Sequence, residues 1–164
     1  MKKIFLILLA AVFFAMCKSK KTAAPGEVET ITETAAADVQ YRDDFRAASA
    51  AEKAALLKEL RAVDAGYSVI IFTKGYKGEK LVVSTAGKTI YSGNFISNLK
   101  TGIAGRVRIQ NTADTRVFDD FTKNEAVISA EEAAKHKFIY LMKDTSRKGN
   151  PFMITYSNTL RPLK

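Results

Sequence analysis

The sequence predicts a mainly β protein: an antiparallel β-sandwich preceded by one amphipathic helix and reached through a flexible N-terminal tether. Three observations carry this. From Tyr67 onward, short runs rich in Val, Ile, Phe and Tyr recur between turn-like segments. One stretch of good helix formers, AEKAALLKELRAV, precedes them. Before that, TAAPGEVETITETAAADVQ (22–40) is rich in Ala, Thr and Glu and poor in large apolar residues.

The chain opens with Met1-Lys2-Lys3, followed by an unbroken apolar run of 13 residues from Ile4 to Met16. A positive start and a short apolar region are the layout of a secretory signal peptide. A membrane-spanning helix would need about 20 apolar residues. The only cysteine, Cys17, stands where the run ends. Phe14-Ala15-Met16-Cys17 resembles the lipobox of bacterial lipoproteins, in which the signal peptide is cut just before a cysteine that carries lipid. Ala15 fits that box. Phe14 and Met16 depart from its usual Leu and small residue.

The resemblance covers about 20 residues. It implies a signal peptide over 1–16, lipid attachment at Cys17, and a mature chain of 148 residues held to a membrane. In the lipoprotein sorting pattern, Asp after the cysteine favours the inner membrane, so Lys18 points to the outer membrane of the cell envelope. More than one acyl chain is needed for stable anchoring. Lys18, Lys20 and Lys21 would add attraction to anionic head groups.

The expected organisation is therefore a signal peptide (1–16), a lipidated tether (17–40) and one globular domain (41–164). Within that domain a helix is expected over about 50–63 and β structure over 67–157. Ser49 and Glu52 have capping-box spacing. Leu56, Leu57, Leu60 and Val63 make one apolar stripe, and Gly66 is a suitable stop. YSVIIFT is apolar on both faces, as a central strand is. EKLVVST and KTIYSG flank Ala86-Gly87 as a hairpin. GRVRIQ alternates, with Val107 and Ile109 inward. TRVFDDF and EAVIS are shorter strand candidates. Ser129 and Glu132 repeat the capping-box spacing, opening a short helix through His136. KFIYLMK and PFMITYS are the last strands.

Residues 22–66 carry five basic and nine acidic residues, and residues 67–164 carry 16 and eight. The basic half suits an anionic envelope partner, but the lysines are scattered, as on a solvated β surface. Export argues against nucleic acid as a partner. The partners expected are the membrane, through the lipid, and an envelope protein or a glycan.

Catalytic constellations are missing. Acid–base and nucleophilic chemistry need His, Cys or paired carboxylates. The sole histidine, His136, lies between Lys135 and Lys137 at a helix end and reads as structural. No metal or cofactor motif is present. Asn111, Asp114 and Asp119 could offer oxygen ligands to calcium, but without a 12-residue loop. Asp119-Asp120 point to opposite faces on a strand, and Asp43-Asp44 suit a helix start. Tyr76, Tyr91, Phe95, Phe118 and Tyr156 could include sugar-stacking rings, though most should be core. The expected function is a non-catalytic binding or scaffolding lipoprotein. The alternative is an enzyme, or a subunit of one, using carboxylates that sequence does not pair.

Overall fold

The computed structural model describes residues 35–163. The expected signal peptide, Cys17 and residues 17–34 of the expected tether lie outside the described residues. Within them the elements run β1 (Asp38–Tyr41), α1 (Ala50–Glu59), β2 (Tyr67–Phe72), β3 (Lys77–Thr85), β4 (Lys88–Ile96) and β5 (Gly105–Gln110). They continue with β6 (Thr115–Asp119), β7 (Glu125–Ile128), α2 (Ala130–Lys135), β8 (Phe138–Lys143) and β9 (Phe152–Ser157).

The protein is mainly β, in two sheets. One orders its strands β1-β9-β8-β2-β5 and the other β4-β3-β6-β7. Most pairings are antiparallel, but β1–β9 and β2–β8 run parallel. This corrects the expectation of a wholly antiparallel arrangement. Alternation along a strand reports which face is buried, not which way its neighbour runs. After β2 the chain builds the second sheet before β8 enters beside β2 in the same direction. A parallel pair needs a long connection of that kind.

β2 and β8 read as unbroken apolar runs because both of their faces are covered. Ile70, Phe72, Ile139 and Leu141 join a cluster with Leu81, Val83, Phe95, Val117 and Ile128 of the second sheet. On the opposite face, Val69, Ile71, Phe138 and Tyr140 pack with Leu56, Ala62 and Leu160. The C-terminal tail packs back onto this face. Leu160 is buried, and its carbonyl accepts from the Ala48 N–H at 2.7 Å.

Residues 38–40 of the expected tether form most of β1, with Asp38 opposite Met153 and Gln40 opposite Thr155. The Gln40 side chain donates to Thr155 Oγ1 at 2.7 Å. The strand carries no apolar signal because its large residues, Val39 and Tyr41, stay exposed. At the other sheet, Ala86 (φ 50°) and Gly87 (φ 75°) are both left-handed. That is the geometry of a two-residue hairpin turn whose twist matches its strands.

α1 departs from the expected helix at both ends. Ser49 Oγ accepts from Glu52 N–H at 3.2 Å, but Glu52 does not complete the box. Its Oε1 accepts instead from Leu163 N–H at 2.8 Å, tying the tail to the helix. At the C-terminus, Arg61 N–H donates to Lys58 O and Ala62 N–H to Leu57 O. Those two bonds form a Schellman cap. Arg61 occupies its left-handed position at φ 51°, so the helix stops well before Gly66. The reversal buries Ala62 fully and leaves Val63, expected on the apolar stripe, 69% exposed. Arg61→Gly removes the Cβ clash of that backbone and is expected to stabilise the fold by about 1 kcal/mol. A higher urea midpoint at unchanged slope is the readout.

Candidate functional site

Lys143 ends β8, Asp119 ends β6, and Glu79 lies in β3. Their side chains meet in the interior. Lys143 Nζ donates to Asp119 Oδ2 at 2.5 Å and to Glu79 Oε1 at 2.7 Å. The Lys143 side chain is 1% exposed and that of Asp119 is fully buried. Backbone amides occupy the remaining carboxylate oxygens. Asp119 Oδ1 accepts from Phe121 N–H at 2.9 Å and Thr122 N–H at 3.2 Å, and Glu79 Oε2 accepts from Lys77 N–H at 2.5 Å.

The electrostatics follow from burial working against hydrogen bonding. Burial disfavours the charge on Asp119, but Lys143 and the two amides outweigh it and hold the carboxyl below its ordinary range. Glu79 is held down in the same way by Lys143 and Lys77 N–H. Lys143 is opposed by burial and raised by both carboxylates. Tyr76 lies nearby, its hydroxyl donating to Leu141 O at 3.2 Å. Burial first, then the two carboxylates, pushes that phenol well above its usual value.

The loop before β3 closes over this cluster because Gly75 lets it. Gly75 sits at φ +95° against the Lys143 carbonyl, and Lys143 N–H donates to Lys74 O at 3.0 Å. Outside the cluster lies an open groove of about 540 Å³ along Lys77 to Lys80, Asp120 and Phe121. Phe121 is 82% exposed. Asp120 faces outward and pairs with Lys123 at 2.8 Å.

The other carboxylates singled out in the sequence cap backbone. Asp43 Oδ1 accepts from Ser157 Oγ at 2.8 Å, Asn158 N–H at 2.6 Å and Thr159 N–H at 3.0 Å, so it fixes the turn after β9 and not the start of α1. The Ser157 hydroxyl and the backbone amides hold its pKa low. Asp44 pairs with Arg42. Asp114 Oδ1 accepts from Ala130 N–H at 2.9 Å, at the start of α2. Asp114 lies just before β6 and Asp119 ends it, which separates them by roughly 16 Å at strand rise. Asn111, Asp114 and Asp119 therefore do not converge. Among the described residues no group of three His, Cys, Asp or Glu could hold a metal.

His136 Nδ1 lies 2.9 Å from Glu132 O, and its ring sits beside the stacked Tyr41 and Tyr156, at 5.6 and 5.4 Å between centroids. Tyr76, Phe95 and Tyr156 are core, and Tyr91 and Phe118 are half-buried.

A smaller cavity, of about 220 Å³, has walls of Ile71, Ile103, Tyr140, Met142 and Leu163, with Lys74 and Arg161 contributing charge. The Arg161 guanidinium carbon lies 3.5 Å from the Phe45 ring centre and 4.0 Å from that of Tyr140. Its backbone N–H donates to Tyr140 Oη at 2.8 Å. Its Nε is buried and bonds to nothing among the described residues. Burial lowers the Arg161 pKa.

Sequence reasoning missed Lys143, Glu79 and Arg161. Lys143 did leave a signal, as a lysine closing the apolar strand FIYLM. Arg161 left none, because the tail has no periodicity to place it. Comparison of the chain with protein-family models, curated proteins and solved structures found no match.

Proposed function

We propose that this is an exported lipoprotein, anchored through Cys17 and directed to the outer membrane by Lys18, that binds a ligand and does not catalyse a reaction. Its two sheets pack face to face as a β-sandwich. The observation that carries the binding reading is the Arg161 cavity. A guanidinium held between two rings keeps a buried donor unpaired beside apolar walls. That Nε itself has no accessible surface, so what the cavity offers a ligand oxygen is the positive charge of Lys74 and Arg161 on its wall. The cavity volume falls below the roughly 300–1,000 Å³ of drug-sized sites, so the ligand is a small anion with a short apolar part. Asp43 and Asp114 are committed to backbone amides, and Asp119 and Glu79 to Lys143 and backbone amides, which supports a binding role over turnover of a substrate. The burial of most candidate stacking rings favours the anion over a glycan.

Titration of the full chain in nanodiscs with hexanoate, and with hexanol as the uncharged analogue, tests the site. Hexanoate is expected to bind at least about tenfold tighter than hexanol, and Arg161→Gln to lose about tenfold, near 1.4 kcal/mol. Equal binding of the two probes, or binding of neither, overturns the assignment. For the anchor, labelled palmitate is expected in the membrane fraction of wild-type cells and to disappear with Cys17→Ala. Unchanged membrane retention of that variant would refute it.

A further inference from the structure

The geometry points to a covalent cross-link: an amide between Lys143 Nζ and Asp119 Cγ, formed inside the folded domain with Glu79 as the proton carrier. Three features of the cluster support it. The nucleophile and the carboxyl are already in contact, at 2.5 Å between Nζ and Oδ2, shorter than the usual 2.7–2.9 Å or so of a charged N–H···O pair. Both side chains are shut away from water, so the water released is not readily replaced and the reverse hydrolysis is starved of its reagent. A folded domain also holds the two groups together permanently, which gives the effective concentration of an intramolecular reaction.

The site holds the three groups charged at rest, and it supplies a hydrogen-bonded acceptor for each proton that must move. Lys143 enters as ammonium and Asp119 as carboxylate. Nζ passes one proton to Asp119 Oδ2 across the 2.5 Å contact, leaving a neutral amine and a neutral carboxyl. The amine lone pair attacks Asp119 Cγ. Negative charge grows on Oδ1, where the Phe121 and Thr122 amides already point at 2.9 and 3.2 Å. Preorganised backbone donors of this kind stabilise a tetrahedral oxyanion. Glu79 Oε1, 2.7 Å from Nζ, then takes a second proton from nitrogen and passes it to Oδ2. Oδ2 leaves as water, the C–N bond stays, and Glu79 is again a carboxylate. The sum is ammonium plus carboxylate giving amide plus water, with no oxidant, reductant or cofactor.

The bond would join the end of β8 in one sheet to the end of β6 in the other. Tyr76 and Leu81, the latter opposite Asp119 across β3 and β6, are buried, and of the three charged residues only Glu79 borders the open groove. This inference is independent of the ligand reading, since the Arg161 cavity shares no residue with the cluster.

Peptide mapping tests it without a variant. Trypsin acting on the unlinked full chain releases 117–123, which contains Asp119, and 138–143, which ends at Lys143. An amidated Lys143 resists trypsin, so the linked protein is expected to give 117–123 joined to 138–147, lighter than the two peptides summed by one water, about 18 Da. Fragmentation places the bond. Recovery of 117–123 and 138–143 as separate peptides, in full yield from folded wild-type protein, overturns the proposal. Glu79→Gln keeps the shape of the proton carrier without its basicity. It is expected to slow formation by about 100-fold while circular dichroism remains that of the folded chain. A folded Glu79→Gln protein that links at the wild-type rate overturns the role given to Glu79.

Discussion

Measured against the unlinked chain, Lys143→Met is expected to lower the unfolding free energy by about 3–5 kcal/mol, the cost of stranding a buried carboxylate by removing its partner. Asp119 would keep its two amide donors but lose its only cation, and Glu79 would lose the bond to Oε1. Desolvation decides the size of the effect. The intact cluster contributes less than its short distances suggest, because the same burial that strengthens the attraction also strips water from three charges. Adding Asp119→Asn and Glu79→Gln to Lys143→Met removes the stranded charges and is expected to recover part of the loss. Urea unfolding of the single and triple variants separates the two contributions, and equal stability of both would refute the stranded-charge account.

The cluster also sets the pH dependence. Asp119 and Glu79 are held below their ordinary values. Their contribution is therefore full above the unfolded carboxylate range and is lost as pH falls through the lowered folded values. Lys143 is held above its ordinary value, so its contribution is full below the unfolded lysine range and is lost as pH rises through the raised one. The unlinked protein is expected to be steady between those limits and to weaken in acid. In chains where the amide has formed, Asp119 and Lys143 no longer titrate, and of the cluster Glu79 alone still shapes the acid limb, alongside carboxylates elsewhere such as Asp43. In the Lys143→Met variant the deficit should shrink in acid, because protonation removes the stranded charges. Chemical denaturation across an acid series reads both effects.

The second large effect is expected at Gly75. A Cβ there would lie 1.7 Å from the Lys143 carbonyl oxygen, and the backbone is left-handed at φ +95°. Neither partner of that overlap is a flexible side-chain tip. Gly75→Ala must move the loop off β8 and is expected to cost about 4 kcal/mol or more, in the range that marks a structural break. Gly87→Ala is the contrast. Its φ is +75°, but nothing lies within 4 Å of the added atom. That change is expected to cost only the left-handed backbone penalty, about 1–2 kcal/mol. Thermal melts of the two variants separate steric overlap from backbone preference.

Sequence patterns reached the strands that are apolar on both faces and the ones that alternate. β2 and β8 stood out because cores on opposite sides cover them, and Val107 and Ile109 mark the buried face of β5. Strand direction was not legible, since parallel and antiparallel neighbours ask the same alternation of a strand. β1 was hidden because an edge strand with exposed Val39 and Tyr41 looks like tether. Left-handed Arg61 hid the end of α1, since sequence rules look for glycine there. The charge cluster draws one residue each from β3, β6 and β8, and their meeting is a product of topology. Asp119 was visible as a carboxylate, but its partners became visible only once the sheets were assembled.

The parallel pairing of β1 with β9 has a mechanical meaning under the proposed N-terminal anchor. Only four residue pairs, Asp38 with Met153 through Tyr41 with Tyr156, fasten the first strand to the rest. A pull along β1 strains those rungs together, in shear, and must break them as a group. A pull across it peels them one at a time from Asp38 inward. The direction of a tug at the leash thus decides whether the first strand behaves as a latch or as a zip.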